Sequence, residues 1–124
     1  MSKIPMHTPP LRAYTSAERK AMPLWSGVMR YFPDALMAIA RLSKKGNDKH
    51  NPGEPLHWAR EKSTDQEDCA ARHLLTPDWV DPETGETELV AAGWRILAAL
   101  QLQEEKRLLA EGIMPLSGVT GEPK

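Results

Sequence analysis

The sequence has one cysteine, Cys69, and one phenylalanine. A single cysteine excludes an intrachain disulfide framework and a cysteine-rich zinc site. No apolar run approaches the roughly 20 residues that a membrane span needs, which excludes a transmembrane helix and a membrane partner reached through one. The opening stretch MSKIPMHTPPLRAYTS lacks the apolar core of a secretory signal. A surplus of either charge is missing too: 16 Lys and Arg stand against 17 Asp and Glu, for a net charge of −1. That balance argues against binding a nucleic-acid polymer through its phosphate backbone. Neither a GxxxxGK[ST] phosphate loop nor an HExxH metal motif occurs. The expectation from these absences is a soluble, cytoplasmic protein.

What is there is one domain's worth of chain, 124 residues with 40 % hydrophobic and 27 % charged composition. Eleven prolines punctuate it and leave three proline-free stretches, 34–51, 56–76 and 83–114. All three are rich in helix formers, and none alternates with period two, so the chain reads as all-α. The first helix is predicted over 33–45, with Pro33 in its first turn, Asp34 at its positive end and Gly46 as terminator. A polar connection, NDKHNPGEPLHWAREK, follows over 47–62. The second helix is predicted over 64–75, with Thr64-x-x-Glu67 as a capping box. Asp81-Pro82-Glu83-Thr84-Gly85 reads as a turn. The third helix is predicted over 87–111, with Leu89, Gly93, Ile96, Leu97 and Leu100 as one apolar stripe. Residues 1–22 read as an arm with a disordered tip and a possible helical turn over 16–22. Residues 23–112 read as a small helical bundle, and 113–124 as a mobile tail. A bundle this small leaves apolar faces to cover, so a homo-oligomer is expected.

Three groups of residues carry possible chemistry. Asp65, Asp68 and Arg72 share a face of the second helix, and two carboxylates one turn apart are a half-site for Mg²⁺ or Mn²⁺. The plain alternative is a solvated face with an Asp68–Arg72 ion pair. Glu86 and Glu88 open the third helix, where the dipole alone favours acids. An antiparallel arrangement of the second and third helices puts Glu88 closest to His73, with Asp65 about two turns away. Lys44, Lys45 and Lys49 surround the end of the first helix and either complement its dipole or hold phosphate oxygens. Trp58, beside His57, either lids the core or stacks on a base. His73 is equally a core histidine or a site residue, and Cys69 reads as a packing residue.

The string YFPDALMAIARLSKKGNDKHNPGEPLHWAREKSTDQEDCAARHLL, followed by VDPETGETELVAAGWRILAALQ, resembles the phage and bacterial dATP/dGTP diphosphohydrolase N-terminal domain family. That family is similar to the all-α, MazG-like nucleotide pyrophosphohydrolases. The resemblance implies a helical homo-oligomer, dimer or higher, that binds Mg²⁺ or Mn²⁺ through acids on paired helices. It further implies cleavage of a nucleoside triphosphate to monophosphate and pyrophosphate, in the host's cytoplasm if a phage encodes the chain. By position, Asp65 and Asp68 stand for the family's acidic pair, Arg72 and His73 for its RH, and His57 and Trp58 for its HW. Lys45, His50 and Asn51 fall in the segment beside the nucleotide. Relatives commonly carry a histidine six residues before the second motif's tryptophan; here that position is Glu88, before Trp94.

The resemblance thus assigns Asp65, Asp68 and His73 to catalysis, and Asp65, Asp68 and Glu88 to metal. It assigns Lys45, His50, Asn51, His57, Trp58 and Arg72 to substrate. Two functions compete on these residues: hydrolysis of a purine (deoxy)nucleoside triphosphate, and sequestration of a nucleotide without cleavage. A third, helices that only pack, predicts no response to nucleotides.

Overall fold

The structure, a computed structural model, describes residues 10–119. Among them are four α-helices and no strand: α1 (Ser16–Lys20), α2 (Pro33–His50), α3 (Gln66–Leu74) and α4 (Glu88–Ala110). One isolated bridge joins Val80 to Thr87. The chain is all-α, as its sequence predicts. No described helix is long and apolar enough to cross a membrane. The chain divides into two compact units, Phe32–Ala99 and a second formed by the described residues 10–31 and 100–119. The division falls within α4.

In the first unit, α2 overruns its predicted end. Gly46 lies inside the helix, and the chain stays helical to His50. A mid-helix glycine costs only about 1 kcal/mol. The turn beyond it is held by tertiary partners of Asn47 and Lys49. Pro52 then disfavours helix at Asn51, the C-cap. The start of α3 also differs from prediction. The capping box does not form; Asp65 is the N-cap and makes no side-chain cap bond. Its carboxylate faces Arg72 instead, at 3.7 Å. The end of the turn matches prediction, with Gly85 at φ 74°, where a glycine is favoured. Thr87 accepts a bond from the Val90 amide at 3.3 Å and so caps α4.

The unit is tied together by an acidic turn and one basic face. Arg41, Lys45 and Lys49 recur every four residues along α2 and all grip the segment 83–86. Glu86 is buried, at 6 % exposure. It accepts bonds from Arg41 Nε at 3.1 Å and Lys45 Nζ at 2.9 Å. Lys45 also donates to the Thr84 carbonyl at 2.5 Å, and Lys49 pairs with Glu83. Beyond this clamp α2 approaches α4 closely: a Cβ at Gly93 would sit 3.2 Å from Ile39 Cδ1. The predicted apolar stripe of α4 does not form the core. Leu89, Ile96 and Leu97 are each about half exposed, while Ala70, Ala92 and Ala98 are the buried apolar residues. Small side chains are the ones that fit where the helices meet so tightly.

In the second unit, Thr15 and Glu18 form a reciprocal capping box at α1. The 113–119 part of the predicted mobile tail is tied to α4: Ser117 donates to the buried Glu105 at 2.7 Å, and Pro115 is buried. The predicted disordered tip, within 1–9, and the end of the tail, 120–124, lie outside the described residues.

The two cations hold the Glu86 carboxyl down at about 2, from an ordinary 4.5, with Arg41 the larger influence and Lys45 next. A carboxyl depressed by folding stabilises the protein above its unfolded pKa and loses that effect as pH falls toward the folded value. Glu86→Gln should therefore lower stability at pH 7 by about 1–3 kcal/mol, the scale of bonds to a charged group. The wild type should also lose, between about pH 4.5 and 2, a stability component that the variant lacks. Melting temperatures across that window check both; parallel acid profiles would contradict the assignment.

Candidate functional site

Within the first unit, α2, α3, the start of α4 and the connection 51–63 line an open groove of about 770 Å³. That is in the range of small-molecule sites. The connection is not a loose loop. The buried Asn47 uses both ends of its amide on it, donating to the Glu54 carbonyl at 3.0 Å and accepting from the His57 amide at 3.3 Å. This staple carries the chain from α2 to Trp58, which meets Trp94 of α4 edge to face. Their centroids are 5.9 Å apart and their planes at 81°. Such a pair is worth about 0.5–1.5 kcal/mol beyond its burial. Arg60 lies over Trp58, 4.3 Å from the ring centre.

Beside this aromatic corner, Arg95 Nη1 donates to Gln66 Oε1 at 3.0 Å. Gln66 is 1 % exposed, and its Nε2 donates to the Ser63 carbonyl at 3.5 Å. Across the site, His73 Nδ1 pairs with Glu88. A carboxylate on one ring nitrogen fixes the tautomer and leaves Nε2 to exchange a proton.

Of the residues singled out in the sequence, Lys49, His50, Asn51, His57, Trp58 and His73 line the groove. Lys45 and Arg72 are not among its lining residues. Lys45 is taken up by Glu86 and Thr84. Arg72 is largely exposed, pairs with Asp65 rather than with Asp68, and donates to Cys69 Sγ at 3.1 Å. Gln66, Trp94 and Arg95 are among the lining residues that the sequence does not mark as site groups. A Trp-Arg pair in mid-helix was the available signal for two of them. Nothing in the local sequence marks Gln66 as buried.

The acids do not make the shared metal centre expected of them. Among the described residues, no three His, Cys, Asp or Glu side chains come together around one point. Asp65 stands at the start of α3 and Glu88 opens α4, while the antiparallel arrangement brings Glu88 to His73 at the far end of α3. Asp68 is exposed. Glu86, Glu83 and Asp48 are each paired with a basic residue of α2. Asp65, Asp68 and Glu88 of one chain do not converge on a common point.

Comparison with curated proteins gave no match, and neither did comparison with solved structures. Residues 12–111 match the family described as dATP/dGTP diphosphohydrolase, N-terminal. The match spans both the groove and the two sequence segments on which the resemblance rested, and the chain belongs to the dATP/dGTP diphosphohydrolase N-terminal domain family.

Proposed function

We propose that the groove binds a purine deoxynucleoside triphosphate and that the protein hydrolyses it to monophosphate and pyrophosphate. The observation that carries this reading is the placement of the Trp58–Trp94 corner beside Arg95 in one groove. Aromatic rings stack on any base, at about 1–3 kcal/mol each, and guanidinium groups take phosphate oxygens. The family description supplies the deoxypurine. His50, Asn51 and His57 are exposed polar residues on the groove lining that could orient the ligand.

For hydrolysis, a water oxygen bonds to the α-phosphorus and the bond to the pyrophosphate oxygen breaks. The water's proton passes to Nε2 of His73, with Glu88 holding Nδ1. Glu88 thus serves His73 rather than a metal. Because Mg²⁺ is commonly held by substrate phosphates with only one or two carboxylates, we propose that any Mg²⁺ or Mn²⁺ arrives as part of the nucleotide complex.

A second reading is sequestration without cleavage. It is favoured by the pairing of Glu83, Glu86 and Asp48 with cations, which leaves few acids to activate a water.

One experiment separates the two. dATP and dGTP, with and without Mn²⁺, should raise the melting temperature, since ligand at 100 times its Kd adds about 2.7 kcal/mol. Chromatography should then find monophosphate and pyrophosphate in excess over protein. His73→Ala should keep the thermal shift and lose turnover by about 10²-fold or more. Intact ligand in every wild-type reaction would establish sequestration instead, and no thermal shift would remove both readings.

We also propose a homo-oligomer, on the half-exposed Leu89, Ile96 and Leu97 of α4 and the exposed Met37. Light scattering should give at least two chains per particle; a monomer across the micromolar range would contradict this.

A further inference from the structure

Arg95 is held by a partner that fixes it without neutralising it. Its charge is permanent. Among the described residues no carboxylate pairs with it, whereas most other guanidinium and ammonium groups around this unit's turn face an acid. The partner is the amide of Gln66, buried at 1 % exposure and itself anchored on the Ser63 carbonyl. With Nε2 committed to that carbonyl, Oε1 is the end presented to Arg95. A guanidinium has five N–H donors, and this bond uses one. Both residues line the groove, and Trp94 is the neighbour of Arg95 on α4.

A buried glutamate at position 66 would make the stronger bond to Arg95 and would cancel its charge. A buried amide gives direction and leaves the charge for an anion entering the groove. We propose that Arg95 is the anion-binding residue of this groove and that Gln66 is its positioning residue, so that the phosphate chain of the ligand lies at Arg95 and the base at the Trp58–Trp94 corner. The assignment rests on the nucleotide reading for the base, but not for the anion.

The test uses inorganic tripolyphosphate, dGTP and deoxyguanosine as ligands of the full chain, measured by calorimetry at low and moderate salt. Tripolyphosphate should bind the wild type with an affinity that falls as salt rises. Arg95→Gln should weaken tripolyphosphate and dGTP by about tenfold or more, the loss expected for a charge-assisted bond. It should change deoxyguanosine by less than about twofold. Gln66→Glu should lose tripolyphosphate to a similar degree with an unchanged or raised melting temperature. That combination is one a purely structural glutamine would not give. If Gln66→Glu fails to fold, Arg95→Gln and Arg95→Lys still decide the anion site, with lysine retaining part of the affinity.

Wild-type protein that ignores tripolyphosphate, or variants that bind it as the wild type does, would overturn the assignment. Equal loss of deoxyguanosine and dGTP in Arg95→Gln would do so too. Arg95-dependent tripolyphosphate binding without any gain from the base would sustain the anion site and remove the nucleotide reading.

Discussion

Glu86 is a buried carboxylate at the end of a tight turn, and it stays charged because Arg41 and Lys45 reach it from α2. An isolated buried charge would cost several kcal/mol, so this turn is tolerated only with α2 alongside it. Lys49 extends the same grip to Glu83. The clamp fixes where α2 lies against the start of α4, and Gly93 lets the two approach closely. The groove lies alongside the clamp, with Lys49 and Thr84 on its lining together with Leu42, Gly46 and Asn47 of α2. Removing Glu86 would leave the helices their propensities and take away their register.

This one constraint explains why some of the fold could be read from the sequence and some could not. Proline positions and helical periodicity locate α2, α3 and α4, because those signals act within a few residues. Gly46 misleads because its cost of about 1 kcal/mol is small beside the distant partners of Asn47 and Lys49. The capping box at Thr64 is a local rule overridden by Asp65 turning to Arg72. Lys45 and Lys49 read as dipole complements or phosphate ligands, since nothing near them in sequence shows that the turn at 83–86 is their partner; Lys44 pairs with Asp48 on its own helix. The apolar stripe predicted on α4 is half exposed. Its direction relative to α2 depends on a crossing that periodicity does not encode.

The site follows the same division. The expectation that Glu88 lies by His73 came from helix geometry, and the two do pair. The shared metal centre required Asp65 and Glu88 at the same end of the helix pair, which an antiparallel connection forbids. Trp58 drew attention as an aromatic in a polar connection. Trp94, Arg95 and Gln66 sit in helices with ordinary local patterns, and only the tertiary arrangement makes them neighbours. The chemistry of the groove is therefore that of rings and a directed guanidinium. Asp81, the carboxylate on its lining, accepts the Glu83 amide within the turn.

The reading that most needs testing is that a purine nucleotide binds at the Trp58–Trp94 corner. The chain's four tryptophans make it directly testable, since Trp25 and Trp79 do not line the groove. Titrating dGTP while following the four indole N–H resonances, assigned through single Trp→Phe variants, reads the site residue by residue. The account predicts that the resonances of Trp58 and Trp94 move together and saturate, with Trp25 and Trp79 unmoved. Saturable shifts confined to Trp25 or Trp79, or no shifts at any concentration, would contradict it.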